Sequence, residues 1–174
     1  MGCNALHREF VVQHLVCCDR RMVLEAVQNP RNNNTTIYTR DNWSNAFIKF
    51  KNVVTVPPVP YQGTARADEP MNWGSGAYAI LVAAMYSDDI HIIGFDLVSN
   101  NGKVNNIYKD TPNYNKADSH AVDPNYWIYQ IGRIFASMPN KYFTVYNNSD
   151  WVMPDTWKNE NVGFKNIDIL ASTL

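Results

Sequence analysis

The chain has 174 residues, 45% hydrophobic and 13% aromatic, enough to build the core of one ordinary domain and too apolar for extended disorder. Its formal net charge is −1 with a pI near 6.4, so no basic surplus exists to neutralise nucleic-acid phosphates or hold an acidic membrane surface. Three cysteines, two of them adjacent in an apolar run, read as reduced small hydrophobes of a cytoplasmic protein rather than as a disulfide framework. The first residues carry no charged-then-apolar leader, and no apolar stretch nears the ~20 residues that a membrane helix needs.

Leu15 to Cys18 is a continuous apolar run closed by Asp19, as a buried parallel strand reads. Met22 to Val27 predicts a helix, broken by Asn29-Pro30 and the asparagines that follow. Thr35 to Thr39 is β-branched and aromatic and predicts a second strand. Val53 to Val56 predicts a third, shut off by Pro57, Pro58 and Pro60. A polar linker runs from Tyr61 to Trp73.

The clearest helix begins at Ser75 or Gly76 and is apolar nearly all round through Met85, the pattern of a buried helix. Ile90 to Asp96 is the clearest strand and reads as buried on both faces. Val98 to Ser119 is a polar loop long enough to carry function. Asp123 is placed to cap a helix opening at Pro124, with a core stripe of Trp127, Ile128, Ile131, Ile134, Phe135 and Met138. Tyr142 to Tyr146 predicts the last strand, and residues 147–174 an irregular tail packed on the body. This alternation predicts one α/β domain over residues 1–174, Rossmann-like, with a mostly parallel sheet flanked by helices.

In such sheets ligands bind beyond the carboxyl ends of strands. That rule selects Asp19 and Asp96 at strand ends, Ser75 and Gly76 at a helix start that can receive an anion, and His120 at the end of the long loop. Each has a plainer role as well: a turn or helix cap for the aspartates and Ser75, a solvated loop residue for His120. Asp88-Asp89 precedes a strand and so lies on the wrong edge for a metal-binding pair. His7, His14 and His91 have no ligand spacing, and no metal site is predicted.

The run Gly74-Ser75-Gly76-Ala77-Tyr78, an apolar helix, and Ile92-Ile93-Gly94-Phe95-Asp96 resemble the core of the bacterial sialyltransferases of glycosyltransferase family 42, which have relatives among phage and marine proteins. Gly2-Cys3-Asn4, the strand ending at Asp19, and Ser119-His120 look like further elements of that family, in order from residue 2 to about 147. The resemblance implies a Rossmann-like sheet of the GT-A-like sialyltransferase type. It also implies metal-independent transfer of a sugar from a cytidine nucleotide donor to the hydroxyl of a glycan-like acceptor. There is then no cofactor, and a CMP-sugar is the substrate. Asn4 would contact the donor, Asp19 would stand beside it, and Ser75 and Gly76 would hold its phosphate end. Gly94 and Asp96 would lie near the nucleotide, Tyr108 would supply a loop tyrosine, and His120 would take the acceptor's proton.

Enzymes of this type assemble as oligomers, so Trp43, Trp151 and Trp157, in otherwise polar stretches, mark either a homo-oligomer interface or the docking of the tail. Three positions depart from the family pattern. The chain opens at Met1-Gly2-Cys3-Asn4, just past the place of a glycine-asparagine-glycine loop. Val98 stands near the place of a tyrosine, and Pro70, Met71, Asn72 and Trp73 stand where the family has an arginine. Two alternatives follow: a binding or structural protein on the same scaffold, or another nucleotide-using transferase. The latter would need Asp19, Asp96 and Asp110 gathered together.

Overall fold

The computed structural model describes residues 1–60, 73–99 and 101–171. Most of the predicted linker, including Pro70, Met71 and Asn72, lies outside the described residues, as does Asn100 of the long loop.

Among the described residues seven strands form two sheets, every pairing in them parallel. The first sheet has the order β1 (Gly2–Cys3), β2 (His14–Val16), β3 (Thr36–Thr39), β4 (Val53–Thr55). Its register sets Leu15 beside Ile37 and Ile37 beside Val53. The second has the order β5 (Asp89–Ile93), β6 (Tyr142–Asn147), β7 (Val162–Asn166), with Ile92 beside Val145 and Val145 beside Phe164. The fold is thus α/β with parallel strands flanked by helices, compatible with a Rossmann-like arrangement. The strands are divided between two sheets rather than joined in the single one predicted.

The alternation of side chains along the strands decides what each face carries. In the first sheet Leu15, Cys17 and Ile37 point to one side, where Met22, Val23 and Ala26 of α1 (Arg20–Gln28) complete a core, with Trp43 of the one-turn helix α2 (Asp41–Ser44) packed against it. Val16, Cys18 and Tyr38 point to the other, against α3 (Ser75–Tyr86). That second core continues without a break into Ile90, Ile92, Phe143 and Val145 of the second sheet and Ile131, Ile134 and Phe135 of α4 (Asn125–Ser137). Wedged between two sheets and a neighbouring helix, α3 is buried or half-buried from Ser75 to Ala84, and only Met85 and Tyr86 at its end are exposed. This is why its sequence is apolar all round.

Three expectations are corrected. β5 is not buried on both faces: Ile90 and Ile92 are buried, while His91 is exposed and Ile93 keeps 56% of its surface. The tail is not irregular. It holds β7 and a short helix, α5 (Asp168–Ala171), and β7 escapes a pattern search because its only large apolar side chains are Val162, half-buried against the core, and Phe164, which is exposed. The tryptophans pack the chain on itself. Trp157 is fully buried and donates to the Ile128 carbonyl at 2.8 Å, Trp151 donates to the Asp96 carbonyl at 3.0 Å, and Trp43 to that of Cys18 at 3.2 Å. They therefore carry no argument for self-association. Among the described residues no helix is long and apolar enough to cross a membrane.

Candidate functional site

Parallel strands bring their carboxyl ends to one edge, so the residues that follow β1, β2 and β3 must lie side by side. Those residues are Asn4, Cys18-Asp19 and Arg40, and all four line a cavity of about 500 Å³. The starts of two helices close it: Arg20, Arg21 and Met22 open α1, and Gly74-Ser75 open α3. Trp43 adds a side wall. Asn113 and Tyr114, from the long loop, form the wall opposite. A second cavity of about 520 Å³ lies beyond Arg21 and Asn113, which line both.

The electrostatics favour an anion. The charged residues of the first cavity's lining are three arginines, Arg20, Arg21 and Arg40, and one carboxylate, Asp19. Two helix amino termini add the partial positive charge of their free amides. Asp19 itself is the N-cap of α1: its Oδ1 accepts from the Arg21 amide at 2.8 Å, and Arg21 Nη2 lies 3.7 Å from Oδ2. Ser75 is buried, and its Oγ accepts from the Cys18 amide at 2.9 Å, which leaves the hydroxyl proton to donate. Asn4 adopts a left-handed φ of 49° that turns the chain off β1 into the cavity wall, and its Oδ1 is buried without a partner.

Arg40 is held rather than free-swinging. Its Nη2 donates to the Trp73 carbonyl at 2.8 Å, and Gln130 Oε1 accepts from the Gly74 amide at 3.0 Å. The segment entering α3 is therefore pinned from β3 on one side and from α4 on the other. The Cys18 thiol lies beside Arg40. Burial pushes its pKa up, while the guanidinium and the Ser75 hydroxyl hold part of that rise back. Burial likewise raises the Cys3 thiol to about 11, so both stay protonated and inert at neutral pH.

Of the positions singled out in the sequence, the structure brings together Asn4, Asp19 and Ser75. Gly76 lies one residue further along α3, and the Phe95 ring covers it so closely that a Cβ there would sit 2.7 Å from Phe95 Cζ. Gly94 has a φ of +91° and turns the chain at the end of β5. Asp96 accepts from Asn105 Nδ2 at 2.9 Å, and Tyr108 packs with Tyr114 against the core beneath α1. His120 is exposed, in an antiparallel bridge with Lys103 that ties off the long loop. Gly76, Gly94, Asp96, Tyr108 and His120 are not among the cavity's lining residues. The carboxylates Asp19, Asp96 and Asp110 each serve their own turn, Asp110 by accepting from the Ala117 amide at 3.0 Å. Among the described residues no three His, Cys, Asp or Glu side chains are gathered to hold a metal ion.

Arg40 was legible in principle. It follows a strand, Thr39-Arg40, and the same rule that picks out Asp19 and Asp96 applies to it. Arg20 and Arg21 follow from Asp19 once it is read as a cap. Asn113 and Tyr114 carry no local signal, since a loop's path is set by distant contacts. Compared with family models, curated proteins and solved structures, the chain gives no match.

Proposed function

We propose that this chain binds the phosphate end of a cytidine nucleotide sugar in the arginine-lined cavity and acts as a metal-independent glycosyltransferase of the sialyltransferase type. One observation carries the binding half: Arg20, Arg21, Arg40, Ser75 and two helix starts converge on a single cavity at the carboxyl edge of parallel strands. The cytidine and the sugar rest on the resemblance of the Ser75–Asp96 stretch. In the transfer, the acceptor hydroxyl oxygen forms a bond to the anomeric carbon as the bond from that carbon to the phosphate oxygen breaks. The hydroxyl proton passes to His120, and the leaving phosphate gathers negative charge that the guanidinium groups and amides take up. His120 reaches the donor only if the long loop carries it there.

A second reading, a nucleotide-binding protein without transfer chemistry, is favoured by the position of His120 outside the cavity lining. Incubation with CMP-sialic acid and a galactose-terminated acceptor separates the two. The transferase reading expects CMP release that depends on the acceptor and falls about a hundredfold or more in His120→Ala. Tight CMP binding without any release would leave the second reading standing and remove the first.

A further inference from the structure

The loop wall of the cavity has no regular structure to hold it in place. Asp110 and Asn113 both sit at positive φ, 64° and 65°, a conformation that aspartate and asparagine accept in turns. Besides the turn bonds within the loop, the segment is held from outside, and Arg8 makes the most bonds to it. Arg8, in the turn after β1, reaches across more than a hundred positions of sequence to this segment. Its Nη1 donates to Thr111 Oγ1 at 2.8 Å and its Nη2 to the Pro112 carbonyl at 2.7 Å. Its guanidinium stands 5.8 Å from the ring centres of both Tyr108 and Tyr114.

Glu25 of α1 locks that guanidinium from behind. Arg8 Nε donates to its Oε1 at 2.5 Å and Arg8 Nη2 to its Oε2 at 2.8 Å, the forked pairing that fixes orientation as well as charge. The same Oε2 accepts from Asn113 Nδ2 at 2.7 Å. Tyr114 is held once more by its hydroxyl, which accepts from the Ala5 amide at 3.4 Å, one residue past Asn4. These bonds link the base of the site to its loop wall. Each side chain of the pair is about a quarter as accessible as a free one, so solvent screens it only in part.

We infer that Arg8 and Glu25 are positioning residues, which hold Thr111 to Tyr114 as the wall of the anion cavity and so set how well that cavity binds. This rests on the proposed anion site. The forked geometry explains why arginine stands here: a lysine ammonium cannot pair with Glu25 and bind both Thr111 and Pro112. Releasing the wall would leave the cavity complete in only a fraction of molecules, and apparent affinity falls by that fraction.

The test uses the full chain and two readouts on Arg8→Met, which keeps the apolar stem, and on Arg8→Lys. Hydrogen exchange of residues 108–117 is expected to quicken about tenfold or more in both variants, with α3 and β6 unchanged. Titration with CMP is expected to show affinity about tenfold weaker in Arg8→Met and intermediate in Arg8→Lys, below the melting transition of each. Unchanged exchange in the loop overturns the inference whatever the ligand does. Quickened exchange with unchanged CMP affinity overturns it too, because the wall would then be idle. Wild-type protein that binds no CMP removes the reading of the cavity, while the exchange result still decides whether Arg8 holds the wall. If Arg8→Met does not fold, Arg8→Lys carries both readouts.

Discussion

Asp19 does two opposed things in one place. Its side chain caps α1 through the Arg21 amide, and its charge stands in a cavity whose other charged lining residues are the cations Arg20, Arg21 and Arg40. A cap needs an acceptor oxygen and not a charge, so asparagine can serve as well. Asp19→Asn is therefore expected to leave the melting temperature nearly unchanged while strengthening binding of an anionic ligand several-fold. Asp19→Ala should strengthen binding too, and cost about 1 kcal/mol of stability through the lost cap. Thermal melts beside titrations of both variants separate the roles. Weaker binding in Asp19→Asn would mean that the carboxylate accepts a hydrogen bond from the ligand. Nearby, His7 shows how burial sets a charge state: it is buried against Asn29 and Asn32, whose amides point at Nδ1 from 3.3 and 3.1 Å. Burial lowers its pKa more than Glu25 raises it, and Arg8 in turn holds the Glu25 carboxyl below the ordinary carboxylate range.

At the scale of elements, α3 ties the site to the core. Its amino end opens on the cavity through Ser75, and its next residue meets the end of β5 through Phe95. Glycine at position 76 is required by that approach, since a methyl group would lie 2.7 Å from the Phe95 ring. Gly76→Ala is expected to destabilise by about 1–3 kcal/mol through overpacking, measured by chemical denaturation. The double change Gly76→Ala with Phe95→Leu should recover part of that loss. Additive losses would show that the ring is not what excludes the methyl. Elements whose reason for existing is local were legible in the sequence. α1 and α4 announced their apolar stripes, α4 also the aspartate at its start, and α3 its burial. β7 was not, because an edge strand with one apolar face over five residues leaves too short an alternation to see. The exposed face of β5 was misread for the opposite cause: Ile, His and Ile in succession look buried twice over, but only the neighbours decide which side is covered.

At the scale of the molecule, two parallel sheets share one core through α3, and the candidate site hangs from the first of them. Part of that site could be read from the sequence, Asp19 and Ser75 from a strand end and a helix start and Asn4 from the family resemblance alone. The rest depends on residues far apart in sequence: Arg40 meeting the entry to α3, and Asn113 and Tyr114 brought across by Arg8 and Glu25. No spacing rule encodes such meetings, because they are products of the whole fold. Whether this convergence holds an anion is decided by calorimetric titration of the full chain with CMP. Saturable one-to-one binding is expected, weakening roughly ten- to hundredfold in Arg40→Ala and measurably in Ser75→Ala, since a hydrogen bond to a charged group is worth about 1.5–3 kcal/mol. No heat with CMP, or binding indifferent to both substitutions, would contradict the anion site.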